Sequence, residues 1–409
     1  MDSYRKRKLE KNFRKIFFVN ALLNVKMVNS IISLFYVYRS LTVPDIFYLG
    51  IIFSVAVIIS EVPSSYLADK FGRKRTVIMA TLFGLLHWVF FLVADSFILF
   101  AVGTMFYALA ESCMSGTDEA FIYDTNKELG NHNESLKNLS RYFSSERVFK
   151  IVSAFLGVLI AKDLVDWQFS LIITVDVIAS VIAIIFAFTL VEPSHYMDVE
   201  KQEAGVLKDA YAILSKDIRL LRTIVSKVVV FIMATCMWRY AAVLFVDNLG
   251  ISIVMFGLIW SLYHGFVFVG NQVTHLVWPG KSNSFKINLL NNLFVISIGL
   301  FLVTWVVFPY KFLLFGLYVL AQIACSLRDP FFSYIFNTSF YSYNRATSLS
   351  LANFMRNVFD IPIMPLMAWG VGKNIIFPYI IVLAFGMITI LFFRIDEKKF
   401  NQVYAAKTI

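Results

Sequence analysis

Ionisable side chains stand inside long apolar stretches of this sequence. Lys26 lies within residues 16–38, and Glu111 and Asp118 lie within residues 97–124. A charged side chain at the centre of a bilayer costs at least about 2.5–3.5 kcal/mol on insertion scales, so such residues pair or face water, and they mark proton and substrate pathways. A carboxyl group removed from water favours its protonated form. Glu111 is therefore the first candidate for a proton-binding carboxylate.

Lys26 lies about eleven residues into its apolar run, which in a helix is a depth of about 16 Å and close to the middle of a bilayer. Glu111 falls at a similar depth in its own run, so the two side chains can form a direct pair. Lys26 is either a cavity residue that contacts substrate or balances a carboxylate, or one half of a structural ion pair. Both alternatives remain open.

Asp118 follows Glu111 by two helical turns, so a continuous helix would place both carboxylates on one face. Glu111 falls near mid-bilayer, whereas Asp118 falls in the third of the span nearest the cytoplasm. Asp118 is a candidate cavity residue, and its structural alternative is a pair with a basic residue such as Arg73 or Arg147.

The second half of the chain carries its own charges. Arg239 lies in the outer part of the seventh apolar run, and Arg328–Asp329–Pro330 interrupt the tenth, where the proline predicts a kink. A guanidinium suits an anionic substrate, so Arg239, Arg328 and Asp329 are candidate cavity residues. The structural alternative is that Arg328 pairs with Asp329 or with the fourth span.

Apolar runs must position all of these residues. Hydrophobic residues make up 59% and charged residues 16% of the 409 residues. Runs of about 18–25 residues match the hydrocarbon thickness of a bilayer, and lipid cannot satisfy an open backbone, so we expect an all-α integral membrane protein with twelve transmembrane helices. The predicted spans are 16–38, 46–67, 76–94, 97–124, 143–161, 168–190, 222–245, 252–275, 287–308, 312–336, 346–368 and 374–393.

Basic residues are concentrated on one side of these spans. Most of the 37 Lys and Arg residues fall in the N-terminus, the even-numbered loops and the C-terminus. This positive-inside pattern places both termini in the cytoplasm of a multi-pass protein of the cell membrane. The net charge of +10 therefore reflects topology and does not indicate nucleic-acid binding. The basic residues on the opposite side are Arg39, Lys162, Lys311 and Lys373.

The loop between the second and third spans carries the sequence ADKFGRKR over residues 68–75. It resembles the signature of the major facilitator superfamily, G-x-x-x-D-R/K-x-G-R-K/R, although Ser65 stands where the family usually has glycine. The resemblance implies two six-helix bundles that transport by alternating access, with spans 1, 4, 7 and 10 lining a central cavity. The residues that match and form the predicted gating loop are Asp69, Lys70, Gly72, Arg73 and Lys74.

The same resemblance assigns roles to this gating loop. Asp69 should hold the outward-facing state by contacting the start of a second-half helix, which we expect to be span 11. Arg73 should reach an acid at the end of span 4, for which Asp124 is the best placed. These roles are implied by the family pattern and not by spacing alone.

The longest polar connection divides the chain into an N-terminal bundle (1–192), a cytoplasmic linker with an amphipathic helix (193–221) and a C-terminal bundle (222–409). The two halves show a weak internal repeat. A shift of 211 residues aligns 110–126 with 321–337 and places Asp118 on Asp329. Parallel repeats of this kind are typical of transporters whose site lies between the halves.

Three functions remain open. The first is proton-coupled export of small amphipathic compounds, although Ser112 stands where drug–proton antiporters have arginine. The second is import or exchange of a small polar or anionic metabolite, favoured by Lys26, Arg239 and Arg328. The third, a membrane sensor or enzyme, has the least support, because the sequence shows no nucleophile–base pair or phosphate loop. We expect a small-molecule substrate, protons and lipid as partners of a monomer, and no metal or cofactor.

The charge pattern makes a topological prediction. Single cysteines near Lys8 and Lys208 should react with a membrane-impermeant thiol reagent only from the cytoplasm, and cysteines near Arg39 and Lys162 only from outside. Labelling intact cells and inverted vesicles in parallel measures this. Labelling of position 208 from outside intact cells would overturn the whole assignment.

Overall fold

The structure, a computed structural model, describes residues 3–131, 135–194, 218–273, 279–339 and 345–396. These residues form helices and contain no β-strand. The described part has nine helical stretches long and apolar enough to cross a membrane, and shorter apolar helices at Phe149–Ile160 and Phe377–Phe392. An all-α membrane fold is thus confirmed, while the count of twelve spans stays a prediction.

Helices of the first half follow one another with short connections, and we number them in chain order. They are α1 (Ser3–Glu10), α2 (Asn12–Leu23), a 3₁₀ helix (Met27–Ile31), α3 (Ile32–Tyr38), α4 (Val43–Phe71), α5 (Arg73–Val93), α6 (Phe97–Met114), α7 (Thr117–Leu129), α8 (Ser135–Ile160) and α9 (Asp166–Thr189).

Helices of the second half have the same character. They are α10 (Ile218–Arg239), a π-helix (Val243–Asn248), α11 (Ile253–Gln272), α12 (Asn283–Val307), α13 (Lys311–Ser326), α14 (Asp329–Ser339), α15 (Arg345–Lys373) and α16 (Phe377–Phe392).

The chain divides into two compact units. One comprises residues 1–198 together with 252–261, and the other comprises residues 199–251 and 262–409. The amphipathic helix predicted within 193–221 lies almost wholly outside the described residues. The domain boundaries therefore stay predictions.

The first span is not the continuous helix that its apolar run predicted. Helix α2 ends at Leu23, the backbone is unwound through Lys26, and the 3₁₀ helix begins at Met27. Near the break, the side-chain amide of Asn24 donates to the backbone oxygen of Asn20 at 2.9 Å. Asparagine side chains compete in this way with the helical hydrogen bonds, which favours a local end to the helix.

The fourth and tenth spans are also interrupted. Gly116 adopts a left-handed conformation (φ +73°) between α6 and α7, and Arg328 lies between α13 and α14. The 211-residue shift aligns the two interruptions to within one residue. The expectation that Glu111 and Asp118 share one helix face is wrong, because the helix on which that reasoning depends is broken between them.

Helix α8 packs closely against the broken middle of the first span. Gly157 lies directly opposite the Met27 carbonyl, and a Cβ atom there would overlap the Met27 oxygen. The obstacle is backbone and cannot rotate away. Glycine is therefore what allows α8 to approach the break.

This close approach predicts the effect of one methyl group. Gly157→Ala should destabilise the protein by about 1–3 kcal/mol, as overpacking usually does, and lower its apparent melting temperature in detergent. Gly316→Ala is the matched control, because Gly316 is helical with nothing within 4 Å of the added Cβ. The control should stabilise by about 0.5–1 kcal/mol. Equal melting temperatures for the two variants would contradict the close packing.

Candidate functional site

The break in the first span places Lys26 beside the fourth. Its Nζ donates to the hydroxyl of Tyr107 at 3.0 Å and lies 3.5 Å from Oε1 of Glu111. Tyr107 and Glu111 are one turn apart on α6, so both face the same neighbour. The predicted Lys26–Glu111 pair is therefore present, and its role in coupling stays a prediction.

Exposure differs between the two partners of this pair. The Lys26 side chain is 13% exposed, whereas that of Glu111 is 49% exposed. The ammonium is enclosed by α6 and by the chain around it, while one side of the carboxylate is open. The ion pair is thus enclosed on the side of the lysine and open on the side of the carboxylate.

His87 on α5 belongs to the same group and was missed by sequence reasoning. It is buried, its ring centroid lies 5.0 Å from that of Tyr107, and its Nδ1 lies 3.0 Å from the backbone oxygen of Gly103. Because a carbonyl oxygen only accepts, Nδ1 must carry a hydrogen. His87 is an ionisable residue inside an apolar run of the sequence, and this feature could have marked it as a candidate site residue.

Asp176 on α9 lies against the break from the other side. Its Oδ1 accepts the backbone N–H of Met27, the residue after Lys26, at 3.0 Å. The residue is fully buried, and Oδ2 has no hydrogen-bond partner among the described residues. Asp176 thus satisfies backbone that the missing helical turn leaves open.

Asp118 is held in a different environment from Glu111. It lies in the first turn of α7, where its Oδ2 accepts from the Tyr142 hydroxyl at 2.5 Å and its Oδ1 from the backbone N–H of Glu119 at 2.7 Å. The bond from Tyr142 ties α7 to α8, and the bond from Glu119 lies within the first turn of α7. The structure does not show Asp118 in contact with the Lys26–Glu111 pair.

The gating loop turns at Gly72 and is closed by an acid beyond α9. Gly72 has φ +96°, and a Cβ atom there would lie 2.9 Å from the carboxyl carbon of Glu192. The two oxygens of Glu192 accept the backbone N–H groups of Arg73 and Lys74, each at 2.8 Å. Glycine suits this turn because of its positive φ, and an added Cβ would also displace the Glu192 carboxylate.

Glu192 was not predicted as a functional residue. The first turn of α5 contains no acid and several basic residues, which opposes the positive end of its helix dipole. A carboxylate at this point satisfies two free N–H groups and offsets that charge. An acid immediately after a span, opposite a basic loop, was the available signal.

Arg73 forms the ion pair that the family pattern implied. Its Nε lies 2.7 Å from Oδ2 of Asp124, and both side chains are largely buried. Lys70 is exposed and its Nζ lies over the Tyr66 ring at 5.3 Å. The side chain of Asp69 lies outside the description, so its contact with span 11 stays a prediction.

The N-terminal helix is tied to the same region. Arg5 on α1 forms an ion pair with Glu128 at 2.6 Å, and Asn12 exchanges two hydrogen bonds with the backbone of Val191 at 2.8 and 3.0 Å. The start of the chain, the end of α7 and the segment after α9 thus form one polar network.

In the second half, Arg328 is a bracing residue. It is 1% exposed, and its guanidinium donates to Oδ1 of Asn291 at 2.8 Å and to the backbone oxygen of Cys325 at 3.1 Å. The pair with Asp329 considered from the sequence does not form. Asp329 is exposed at the start of α14. Arg239 ends α10, and its buried Nε has no hydrogen-bond partner among the described residues.

A comparison with known families decides the class. The profile of the Major Facilitator Superfamily matches residues 16–365. The chain belongs to this superfamily. A curated relative, the uncharacterized MFS-type transporter YxaM of Bacillus subtilis (strain 168), is 29% identical over 108 residues. That alignment spans 26% of this chain and only 27% of the relative.

Solved structures agree on the fold. A mutant of the nucleoside transporter NupG superposes with a TM-score of 0.77 at 13% identity, covering 94% of this chain and 98% of that one. A D-xylose–proton symporter superposes with a TM-score of 0.75 at 12% sequence identity, and the match covers 98% of this chain and 99% of that one. A bacterial homologue of the human lysosomal transporter Spinster superposes with a TM-score of 0.69 at 13% sequence identity, and the match covers 96% of this chain and 97% of that one. These likenesses concern the fold, and they agree with the family profile in making the chain a multi-pass membrane protein of this transporter superfamily.

The cap on α5 leads to a stability prediction. Glu192→Ala should cost about 1–2 kcal/mol, because two backbone N–H groups lose their acceptor, as on removal of a helix N-cap. Glu192→Gln keeps one acceptor oxygen and should lose less. Thermal unfolding in detergent measures both. Glu10→Gln, an exposed acid at the end of α1, is the control and should leave the melting temperature unchanged. A Glu192→Ala protein as stable as this control would remove the capping role.

Proposed function

We propose that this transporter couples the movement of a small molecule to protons through the Lys26–Glu111 pair. The observation that carries the proposal is a 3.5 Å ion pair at a break in a span, with its carboxylate half exposed. A fully buried, fully satisfied pair would serve packing alone. An accessible carboxylate beside a fixed ammonium can bind and release a proton as its surroundings change.

The chemistry follows from charge balance. While Lys26 faces it, Glu111 is stabilised as an anion and Tyr107 holds the ammonium in place. Protonation of Glu111 removes the attraction and leaves Lys26 without a counter-charge. The conformation that exposes Glu111 to the side of higher proton concentration is then favoured by protonation, and the opposite conformation by proton release. Alternating access converts this cycle into transport.

The gating loop has a separate role in the proposal. The turn at Gly72, capped by Glu192, fixes the direction in which α5 leaves the loop. The Arg73–Asp124 pair ties that turn to the end of the fourth span. Together with Asp69, Lys70 and Lys74, it would stabilise one of the two access states and break in the other.

The substrate is proposed to be a small amphipathic compound that is exported. Aromatic rings adjoin the ion pair: Phe53 lies 5.3 Å from Tyr107 between ring centroids, and His87 lies 5.0 Å from it. Such rings provide apolar surface for the hydrophobic part of a ligand, and the pair provides its polar contact.

A second candidate is import or exchange of an anionic metabolite. It is favoured by Arg239, whose Nε is buried without a hydrogen-bond partner among the described residues. A buried donor of this kind gains free energy from an anionic acceptor. The two candidates differ in substrate and share the proton-coupling pair.

Replacement of the acid tests the coupling. Inverted membrane vesicles should accumulate ethidium under a pH gradient with the wild-type protein, and radiolabelled lactate serves as the probe for the anionic alternative. Glu111→Gln should abolish gradient-driven accumulation and retain downhill exchange, because the cavity remains but the titratable group is lost. Lys26→Ala should shift the pH dependence of transport, since it removes the charge that stabilises the Glu111 anion.

Asp166→Asn is the control. Asp166 forms an ion pair with Arg39 at the beginning of α9 and is not part of the Lys26–Glu111 pair. It should transport as wild type. Full uphill accumulation by Glu111→Gln would exclude Glu111 as the coupling acid.

A further inference from the structure

The unwound segment of the first span poses a physical problem that Asp176 solves. Between Leu23 and Met27 the regular helical ladder is interrupted, and the N–H groups at the start of the 3₁₀ helix have no preceding turn to bond. Water is scarce at this depth, and each unsatisfied backbone group in hydrocarbon costs several kcal/mol. A continuous helix would satisfy these groups, so something must favour the break.

The carboxylate of Asp176 is that element. Its Oδ1 accepts the Met27 N–H at 3.0 Å, and the Val28 N–H also faces it. Asp176 lies on α9 and is fully buried. The bond therefore joins α9 to the unwound segment of the first span.

Two further contacts surround the same point. Gly157 on α8 gives room for the Met27 carbonyl, so the break is accommodated from a second helix. Lys26 immediately precedes Met27 and uses this position to reach Tyr107 and Glu111. The hydrogen bond from Met27 to Asp176 thus holds the backbone segment that determines the direction of the Lys26 side chain.

We propose that Asp176 is a positioning residue for the coupling pair: by capping the broken first span it holds Lys26 against Glu111. The effect of Asp176 on transport rests on the proposed function. The effect of Asp176 on the position of residue 26 does not depend on that function. Without the cap, the segment from Asn24 to Met27 rewinds into helix and turns position 26 away from α6. The charged group that Asp176 faces in the described structure is Lys26 itself.

Cysteine labelling tests this without any substrate. Cys113, Cys236 and Cys325 are replaced by alanine and Lys26→Cys is introduced, and the rate of reaction with 2-aminoethyl methanethiosulfonate is measured in proteoliposomes. Asp176→Leu, which removes the acceptor, should lower the rate at least fivefold. Asp176→Asn keeps a carbonyl oxygen for the Met27 N–H and should stay within twofold. Asp176→Ala serves as a second acceptor-free variant if the leucine protein does not insert.

Thr174→Val is the matched control, because Thr174 lies on α9 and, among the described residues, its hydroxyl bonds to the Ser170 oxygen of the same helix. It should label at the parent rate. Unchanged labelling in the acceptor-free variants would overturn the proposal, as would an equal fall in Asp176→Asn.

Transport by proteins that retain Lys26 gives the second readout. Asp176→Leu should shift the pH profile of ethidium accumulation in the same direction as Lys26→Ala, whereas Asp176→Asn should restore it towards the parent profile. A fall in rate at every pH with an unshifted profile would indicate packing alone and contradict positioning. If the parent protein transports no probe, the proposed function fails while the labelling result still decides the role of Asp176.

Discussion

Hydrocarbon offers the backbone no hydrogen-bond partner, and this constraint governs each place where a spanning helix of this protein stops. The first span is interrupted after Leu23, and Asp176 accepts an N–H group that the missing turn leaves open. Helix α5 begins at a tight glycine turn, and Glu192 accepts two N–H groups there. In both places an acid distant in sequence makes the interruption stable, so each break is also a contact between spans.

The charges inside the first and second halves are stabilised in different ways. Arg328 is fully buried and its guanidinium is used by Asn291 and Cys325, which leaves it no surface for a ligand. Lys26 is enclosed too, but its partner Glu111 is half exposed. A buried charged group whose hydrogen bonds are all made, such as Arg328, stabilises the packing of the helices around it. Incomplete burial of one partner leaves a carboxylate with an open side, and the proposed coupling to protons depends on that opening.

Helix α9 connects the two polar networks of the first half. Asp176 lies near its middle, beside the unwound segment that carries Lys26, and Glu192 follows just beyond its end, against the turn at Gly72. A displacement of α9 would alter both contacts at once. This one helix thus gives a physical route by which the state of the membrane-embedded pair and the state of the loop can be linked in the proposed transport cycle.

The sequence by itself determined the class of fold, because apolar run length and charge asymmetry depend only on composition along the chain. It also predicted the Arg73–Asp124 contact, through the family pattern, and the depth match of Lys26 with Glu111. It did not reveal the break in the first span or the role of Glu192. Hydropathy reports whether residues favour lipid and not whether their backbone is helical. Asn24 favours a local end to the helix, but the contacts from α8 and α9 that accommodate the unwound segment exist only in the tertiary structure.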